Sequence, residues 1–382
     1  MAKEKFIIAG AGIAGLTAAI LLRELGYEAV IYESGQSVRG IGAGFGLASN
    51  AMRAFDFLGL EKEIIPIGQH LTTLRIVDHK GKDIIAADTS KLEQQLFSNF
   101  AIHRADLHHY LLAKIPQTII HTSKKITRYK QENSTVIVFF EDGSTETSDY
   151  LIGADGVGSV IRQQMFPSSV PRYAGYVCWR SVIDNPGIQL ETSIETWGSK
   201  GRFGLTPLIG NRIYWYACIN ASASDSEIRN YKLEDLKSNF SSYHSSIPLV
   251  LEHSIEKEII CNDIVDIRPL PYYTNGRVLL AGDAAHATTP NMGQGACMAV
   301  EDIAVLKQLL LSSESIEAAF ALYNKKRVHR ANSIIRDSNR IGKVAQLSAP
   351  LVITLRNFVA RSLPDSFAVS RLKKLLETDF LS

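Results

Sequence analysis

Three glycines near the start of the chain have the spacing of a phosphate-binding turn. Gly10, Gly12 and Gly15 follow an apolar run at residues 6 to 9, and a helical pattern begins at Ile13. The first glycine permits a tight turn, the second lets a pyrophosphate approach the backbone, and the third lets the helix pack against the strand. The free amides and the positive dipole end of that helix would face the phosphates. The sequence therefore predicts a dinucleotide-binding unit.

An acidic residue stands where a dinucleotide fold needs one to bind a ribose. Residues 28 to 33 form a second strand pattern that ends in Glu33, eighteen residues after Gly15. A carboxylate accepts hydrogen bonds from ribose hydroxyls and repels a 2′-phosphate, so it favours the adenosine ribose of FAD or NAD. Glycines alone could form an ordinary turn of a parallel sheet, but the strand, helix, second strand and acid together favour dinucleotide binding.

A later stretch has residues that could hold the other end of a flavin dinucleotide. Apolar residues 277 to 281 lead into Gly282 and Asp283, and a Gly-Gln-Gly segment at 293 to 295 begins a long helical pattern. Asp283 can accept hydrogen bonds from ribityl hydroxyls, and glycines at a helix start let a ring approach the backbone. Such a helix end stabilises the negative charge of a reduced flavin by roughly 0.3–2 kcal/mol. The alternative is a structural corner between strand and helix.

A third motif, which runs from Gly153 through Asp155 and Gly156 to Arg162, lies between these two. Together the three motifs resemble the signatures of the single-component, FAD-dependent aromatic hydroxylases. That family includes para-hydroxybenzoate, salicylate and urate hydroxylases and tetracycline-inactivating monooxygenases. The motifs stand in the family's order, and the resemblance covers roughly residues 1 to 345.

The resemblance implies both a fold and a reaction. The fold is α/β, with a Rossmann-type, para-hydroxybenzoate hydroxylase-like FAD-binding domain, an inserted antiparallel β-sheet substrate domain and C-terminal helices. The cofactor is FAD, with NADPH or NADH as co-substrate and O2 as oxidant. The reaction is hydroxylation of an electron-rich aromatic or heterocyclic small molecule through a C4a-hydroperoxyflavin. The protein then has to supply positioning and exclusion of water more than a catalytic triad.

The resemblance also assigns residues to the cofactor site. Asp155 is implied to lie near the pyrophosphate, Arg104 near the ribityl or phosphate region, and Arg39 near the isoalloxazine ring or NAD(P)H. A structural strand-to-helix turn is the alternative for Asp155, and an exposed surface position is the alternative for Arg104. The residues expected to bind the cofactor are Gly10, Gly12, Ala14, Gly15, Glu33, Arg39, Arg104, Asp155, Gly282, Asp283, Pro290, Gly293, Gly295 and Ala296.

The aromatic and β-branched residues between 173 and 220 predict a contiguous antiparallel sheet that supplies the substrate cavity. Strand alternation places Tyr176, Cys178 and Arg180 on one face. An arginine among aromatic side chains could hold a carboxylate or enolate oxygen, although plain sheet packing is the alternative for most of these residues. No catalytic acid or base is identified. The residues expected to line the pocket are Arg180, Phe203, Leu205, Tyr216 and Pro290.

The composition is that of an ordinary globular protein, with 46% hydrophobic and 21% charged residues. Lys and Arg number 41 against 39 Asp and Glu, so a net charge of +2 gives no reason to expect nucleic acid as a partner. No apolar run is long enough to span a membrane, and the early first strand leaves no room for a signal peptide. Four scattered cysteines form no CxxC motif. We therefore expect no metal site and a reducing, cytoplasmic location.

The order of the patterns predicts discontinuous domains with a ligand pocket between them. The expected divisions are an FAD-binding domain at 1–70, 100–170 and 265–345, a substrate-binding sheet domain at 71–99 and 171–264, and C-terminal helices at 346–382. Either a monomer or a homodimer is compatible with the sequence. His108 and His109, adjacent on a helical pattern, are interpreted as surface residues.

The cofactor motifs are compatible with other functions as well. A flavoprotein reductase or dehydrogenase of the same fold would share the cofactor motifs, as would a non-catalytic flavin-binding protein. A flavin halogenase is disfavoured, because Trp179, Trp197 and Trp215 stand far apart and form no Trp-x-Trp-x-Ile-Pro signature. Residues 350 to 360 could form a pocket lid, a dimer face or a membrane-surface helix, although a core helix is the simpler interpretation.

Overall fold

A six-stranded sheet lies at the centre of the computed structural model, which describes residues 4–38, 40, 44–88, 90, 97–364, 370, 373, 375 and 376. Its strands are β1 (Lys5–Ala9), β2 (Glu28–Tyr32), β8 (Ile120–His121), β12 (Tyr150–Gly153), β18 (Thr274–Asn275) and β19 (Val278–Leu280). They lie in the order β18-β19-β12-β1-β2-β8, and all pairings are parallel except β18 with β19. Because parallel strands end at one edge, β1, β12 and β19 bring all three sequence motifs to that edge.

Helices cover this sheet and extend beyond it. In the described chain they are α1 (Ile13–Glu24), α2 (Ser49–Phe57), α3 (Glu61–Ile64), α4 (Arg104–Ala113), α5 (Val160–Met165), α6 (Ser226–Arg229), α7 (Leu233–Phe240), α8 (Ser246–Glu252), α9 (Asp283–His286), α10 (Gly295–Ser312), α11 (Ile316–Ala345) and α12 (Pro350–Ser362). The helix predicted over 13 to 25 is α1, and those predicted from 295 and 317 are α10 and α11. Both α1 and α10 are apolar on most sides, so they lie buried in the main core.

Two small antiparallel sheets connect the central sheet to the rest of the fold. One has the order β3-β7-β4 and the other β11-β10-β9. Their strands are β3 (Gly44–Leu47), β4 (Gly68–Leu71), β7 (Asn99–His103), β9 (Ile126–Glu132), β10 (Thr135–Phe140) and β11 (Thr145–Ser148). Residues 71 to 77 do not form one strand, because β4 ends at Leu71 and a separate strand begins at Thr73.

A seven-stranded sheet forms the second layer, in the order β17-β13-β16-β15-β14-β5-β6. Its strands are β5 (Thr73–Asp78), β6 (Asp83–Asp88), β13 (Arg172–Asp184), β14 (Ser193–Gly198), β15 (Gly201–Leu208), β16 (Arg212–Asn220) and β17 (Ile260–Asp266). The strands between residues 173 and 220 pair antiparallel, as predicted, whereas β5 joins them by pairing with β14 in parallel. The β5–β6 hairpin comes from an earlier part of the chain, so no tight turn fixes its direction relative to β14.

The two faces of this sheet have different neighbours. Phe203 and Leu205 lie on the face that packs against α7 and α8, where the Phe203 ring stacks on Trp215 at 5.4 Å and meets the edge of Phe240 at 5.2 Å. The prediction that Phe203 and Leu205 line the substrate pocket is therefore wrong. Alternation correctly separates the two faces, but the sequence does not indicate which face the helices cover. Arg180 and Tyr216 lie on the opposite face, as cross-strand partners.

Candidate cofactor and substrate site

Contacts within the protein require two of the glycines of the first turn. Gly10 has a φ of +96°, and a Cβ there would lie 2.6 Å from the carbonyl oxygen of Ala154. A Cβ on Gly15 would lie 2.0 Å from the carbonyl oxygen of Gly10. At Gly12, in contrast, a Cβ would meet nothing within 4 Å. The protein itself gives no reason for a glycine at position 12, so the open space beside it fits a ligand that approaches the backbone.

The start of α1 has free hydrogen-bonding capacity beside an acid. Gly12 is the N-cap of α1, and no side chain caps the helix. The Glu33 carboxylate accepts the amide N–H of Ala11 at 2.9 Å and that of Gly35 at 2.7 Å. These two bonds fix Glu33 beside the turn, where a ribose next to a diphosphate would need it. The helix start suits an anion, since its first amides lack internal partners.

His108 is a part of this turn that sequence reasoning missed. It is buried, and its Nε2 donates a hydrogen bond to the Ala11 carbonyl oxygen at 2.8 Å, while Nδ1 is buried without a partner. The interpretation of His108 as a surface residue is therefore wrong, whereas His109 is exposed. The signal was available, because Leu107 and Leu111 are buried on α4 and His108 falls within the same helical arc.

Asp155 has both a structural contact and free capacity. Its Oδ2 accepts the amide N–H groups of Val160 at 2.8 Å and Ile161 at 3.3 Å, so it helps to begin α5. Its Oδ1 is buried with no partner, and burial raises the pKa of the carboxyl group. A Cβ on Gly156 would meet nothing within 4 Å. An unpaired buried oxygen beside open space fits a ligand with hydrogen-bond donors or a bridging water.

The late glycine motif lies directly against the first turn. Gly282 has a φ of +60°, and a Cβ there would lie 2.9 Å from the Cβ of Ala14. Asp283 is exposed, and its Oδ1 is 4.0 Å from the position that a Cβ on Gly295 would take. The start of α1, the aspartate and the start of α10 are therefore neighbours, as one extended dinucleotide would require.

A short turn, Pro290–Met292, leads from this motif into α10. Gly293 has a φ of +62°, the left-handed conformation that glycine adopts most readily, and a Cβ there would meet nothing within 4 Å. The α10 helix begins at Gly295 without a side-chain cap. Gly295 and Ala296 are half-buried. The backbone from 293 to 296 thus offers open space and free amides, which suit the ring of a flavin.

A buried network of charges fixes both glycine segments. Asp302 accepts the amide N–H of Gly282 at 2.8 Å, lies 2.7 Å from His286 Nε2, and accepts Arg327 Nε at 2.7 Å. Arg327 also donates to Glu301 at 2.7 Å, which Arg330 holds through both carboxylate oxygens. His286 therefore has a positioning role in this network.

The carboxylates of the network stay ionised although they are fully buried. Burial alone would raise the pKa of Asp302, but His286 and Arg327 outweigh it and hold the pKa below its usual value. Burial is likewise outweighed at Glu301 by Arg327 and Arg330, so its pKa is also lowered. Asn50 links Glu301 to Gln294, the N-cap of α10, with 2.9 Å between Asn50 Nδ2 and Gln294 Oε1. The start of α10 is thereby tied to the same charges.

The candidate surface for the substrate is formed by Tyr176, Arg180, Tyr214 and Tyr216, which share one face of the sheet and are here called the tyrosine face. The Tyr214 and Tyr216 rings lie 5.7 Å apart, and the Tyr176 hydroxyl donates to Asn291 Oδ1 at 3.1 Å. Since Asn291 belongs to the Pro290–Met292 turn, this face meets the segment that leads into α10. The structure therefore brings Arg180 and Tyr216 together on one face and links that face to the Pro290–Met292 turn through Tyr176.

Arg180 is the charged group of the tyrosine face that lacks a partner within the described chain. Its Nε is buried without a hydrogen bond. A guanidinium keeps its positive charge in proteins even when it is partly buried, so Arg180 is a cation. A half-buried guanidinium whose Nε is buried without an acceptor fits an anionic or carbonyl oxygen of a ligand.

A second cluster on this side was not found from the sequence. Glu195 accepts the Tyr216 hydroxyl at 2.9 Å and Arg202 Nη1 at 2.9 Å, and Arg202 Nε donates to Gln346 at 2.8 Å. The available signal was a pair of charged residues within apolar strand runs, on neighbouring strands β14 and β15. These bonds fix the orientation of Tyr216 in the tyrosine face.

The sequence-predicted cofactor residues thus collect at one edge of the central sheet, with two exceptions. Arg104 is the first residue of α4 and is exposed. Arg39 lies outside the described residues, so its role stays a prediction. Among the residues that the structure describes, no cluster of His, Cys, Asp and Glu could hold a metal ion. In the same part of the chain, no helix is long and apolar enough to cross a membrane.

Comparison with known proteins agrees with this geometry. The family model described as an FAD binding domain matches residues 3–338, so the chain belongs to that family. It is 33% identical over 373 residues to the aurachin C monooxygenase/isomerase of Stigmatella aurantiaca, with 97% of each chain covered. It is 29% identical to the 6-hydroxynicotinate 3-monooxygenase of Pseudomonas fluorescens, with 88% of this chain and 90% of the relative covered.

A solved structure shares nearly the whole fold. Klebsiella pneumoniae HpxO, in complex with FAD and uric acid, matches with a TM-score of 0.90 and 26% identity, covering 98% of this chain and 97% of HpxO. The para-hydroxybenzoate hydroxylase-like fold and the family predicted from the three motifs are therefore confirmed. The protein is an FAD-dependent monooxygenase, an oxidoreductase with FAD as cofactor and NAD(P)H as co-substrate.

Replacement of Gly12 tests whether the open space beside it belongs to FAD. We expect Gly12→Ala to weaken FAD binding about tenfold or more, roughly 1.4 kcal/mol, while the thermal midpoint of the apoprotein hardly changes. The added methyl group clashes only with the ligand. Gly15→Ala is the matched variant. Its Cβ clashes with the protein itself, so it should lower both the affinity for FAD and the thermal midpoint of the apoprotein. Fluorescence titration with FAD measures the affinity, and wild-type affinity in Gly12→Ala would contradict the assignment.

His108 should make the fold sensitive to acid. Burial lowers the pKa of His108 below its ordinary value, so the unfolded chain binds more protons in the window between the folded and unfolded pKa values. Stability then rises with pH through that window and is lost as the pH falls. We expect His108→Gln, which keeps an N–H donor, to lose less of its thermal midpoint than wild type between pH about 7 and 5. His109→Gln is the control and should follow wild type; equal slopes in all three would refute the role of His108.

Proposed function

We propose that the enzyme hydroxylates a nitrogen heterocycle that carries an oxo or hydroxyl oxygen on the ring. The observation that carries this proposal is the unpaired Arg180 within the tyrosine face. Aromatic walls favour a flat, electron-rich ring, and the half-buried guanidinium with its unpaired Nε favours an oxygen on that ring. A hydrocarbon ring would leave the Arg180 nitrogen unsatisfied in a desolvated site, which is unfavourable.

The relatives support this class of substrate. Two of them are named for or bound to oxygen-bearing nitrogen heterocycles, 6-hydroxynicotinate and uric acid. The tyrosine face of this chain offers the matching groups, since Arg180 would hold a ring oxygen while Tyr214 and Tyr216 contact the ring. The Tyr216 hydroxyl donates a hydrogen bond to the Glu195 carboxylate, so Tyr216 is fixed in one orientation in the site.

FAD, when bound and reduced by NAD(P)H, supplies the transfer of an oxygen atom from O2. The residues that would hold it follow the order of the three motifs. The start of α1 would bind the diphosphate, Glu33 the adenosine ribose, and Asp283 the ribityl chain. The start of α10 directs its positive dipole end towards the place of the ring, where it favours negative charge. The cofactor residues proposed from the described chain are Gly10, Gly12, Ala14, Gly15, Glu33, Arg104, Asp155, Gly282, Asp283, Pro290, Gly293, Gly295 and Ala296.

The predicted division of the chain is kept as part of the proposal. Strands β5 and β6 join the seven-stranded sheet with β13 to β17, which supports a substrate-binding unit made of 71–99 and 171–264.

We also propose a cytoplasmic location. The free thiols of Cys178, Cys218, Cys261 and Cys297 support a reducing compartment.

A substrate panel tests the proposed class. The FAD-loaded enzyme is incubated with NADPH or NADH and with one compound at a time. The compounds are hydroxypyridines, quinolones, oxopurines, simple phenols and unsubstituted arenes. We expect stimulated NAD(P)H consumption with the oxygen-bearing nitrogen heterocycles, and incorporation of one atom of labelled O2 into the product. Stimulation by phenols alone would contradict the substrate class. NAD(P)H oxidation without oxygen in any organic product would instead favour a reductase or dehydrogenase.

Replacement of Arg180 tests the residue on which the proposal rests. We expect Arg180→Gln to raise KM for the best heterocycle by about 10- to 100-fold, because a hydrogen bond to a charged group contributes roughly 1.5–3 kcal/mol. Arg180→Lys keeps the charge and should restore part of the loss. FAD content and thermal midpoint should stay near wild type. Arg75→Gln, on the other face of the same sheet, is the matched control; an unchanged KM in Arg180→Gln would refute the assignment.

A further inference from the structure

We propose that the exposed face of α12 docks on the surface of an anionic lipid bilayer. Five apolar side chains form a continuous stripe on this helix at the spacing of one helical face. Their exposed fractions are 87% for Leu351, 43% for Val352, 63% for Leu355, 68% for Phe358 and 51% for Val359. Single exposed leucines are common on protein surfaces, but a contiguous apolar stripe marks an interaction site.

The helix is turned opposite to the usual orientation of a surface helix. Its buried residues are Arg356 and Asn357. Arg356 donates to the carbonyl oxygens of Val344 at 3.2 Å and Ala345 at 3.3 Å, and its guanidinium lies 4.8 Å from the ring centre of Trp197. The interpretation of this segment as a core helix is therefore wrong. Polar contacts hold α12 to the protein, and they leave its apolar side facing outward.

The second end of α12 is fixed to the β5–β6 hairpin. Arg361 donates to Asp78 at 2.6 Å and to the carbonyl oxygen of Asp83 at 2.8 Å. The helix is thus fixed along its length, so its apolar stripe keeps a defined place on the surface. A flexible segment without these contacts would not hold all five apolar side chains on one face.

The charges around the stripe favour an anionic partner. Residues 338 to 364 contain four basic residues and no acidic one, and the range is flanked by Asp337 and Asp365. Arg356 is buried, and Arg340 and Arg361 are in ion pairs, so the positive charge that remains for a partner is that of the lysines. Lys343, and Lys80 and Lys82 on the hairpin that α12 contacts, are exposed. The acidic groups beside them are already in ion pairs, as Asp78 pairs with Arg361, Asp83 with Arg75 and Asp337 with Arg340.

A bilayer with anionic headgroups matches this arrangement better than a second copy of the chain. A two-fold contact through α12 would bring the same exposed lysines of both copies together. A lipid surface accepts the apolar stripe at the level of the acyl boundary and attracts the surrounding lysines. No helix of the described residues could span the bilayer, so the contact would be peripheral.

Docking there would place the substrate sheet close to the lipid. Gln346, four residues before α12 begins, accepts Arg202 Nε at 2.8 Å, and its carbonyl oxygen accepts Asn220 Nδ2 at 2.8 Å. The Glu195–Arg202 cluster thus contacts Gln346, which a segment of three residues joins to the start of α12. This inference does not depend on the substrate class, because binding to vesicles can be measured without turnover.

Vesicle sedimentation with the full-length, FAD-loaded enzyme tests the proposal. The vesicles contain phosphatidylcholine alone, or phosphatidylcholine with about a third phosphatidylglycerol. We expect the enzyme to bind the anionic vesicles at least about tenfold more strongly than the neutral ones, and salt to weaken the binding. The double variant Leu355→Ser/Phe358→Ser should lose about tenfold or more of the binding to anionic vesicles. FAD content and thermal midpoint confirm that it folds.

A matched control distinguishes binding through this surface from non-specific hydrophobic adsorption to the vesicles. Leu311, at the end of α10, is 63% exposed, as is Leu355. Leu311→Ser should bind the anionic vesicles like wild type. The proposal is overturned if wild type binds neither kind of vesicle, or if the double variant binds as well as wild type. It is also overturned if light scattering shows a wild-type dimer that the double variant dissociates while no form binds vesicles.

Discussion

The buried carboxylate of Asp302 is the constraint on which the rest of the site depends. It holds the backbone of Gly282 through an amide N–H bond and is itself held by Arg327 and His286. Two carboxylates and two guanidiniums share this desolvated region, so their charges balance. Removal of one partner from such a set typically costs about 3–5 kcal/mol, because an uncompensated charge stays buried. The network therefore stabilises one conformation of the glycine segments that it contacts, at Gly282 and at the start of α10.

The position of this network explains why the cofactor motifs meet. The chain reaches the common edge of the central sheet three times, at the ends of β1, β12 and β19, and each time it forms a glycine-containing turn. Parallel pairing brings the turns to one edge, and the charges on α10 and α11 then fix the third turn against the first. The starts of α1 and α10 keep uncapped amides at this edge. Rigidity comes from the buried ions, and binding capacity comes from the backbone that they hold.

The sequence predicts features set by neighbouring residues better than features set by contacts between distant parts of the chain. Gly10, Gly15 and Glu33 were identified correctly as members of the turn because their roles are local, set by neighbours a few residues away or by one strand. Phe203 and Leu205 were placed on the wrong face because burial against α7 and α8 is a tertiary fact, invisible in the alternation of β15. His108 and the pair Glu195 and Arg202 were missed for a similar reason. Each acts through a residue distant in sequence, so its spacing carries only a weak signal.

The most direct test of the central claim is a crystal structure of the enzyme with FAD and an oxygen-bearing nitrogen heterocycle. The account predicts that the diphosphate lies at the start of α1, the flavin ring lies beside the backbone of 293 to 296, and the ring oxygen of the heterocycle contacts Arg180. A dinucleotide bound away from Gly12, or a flavin ring remote from the start of α10, would contradict it.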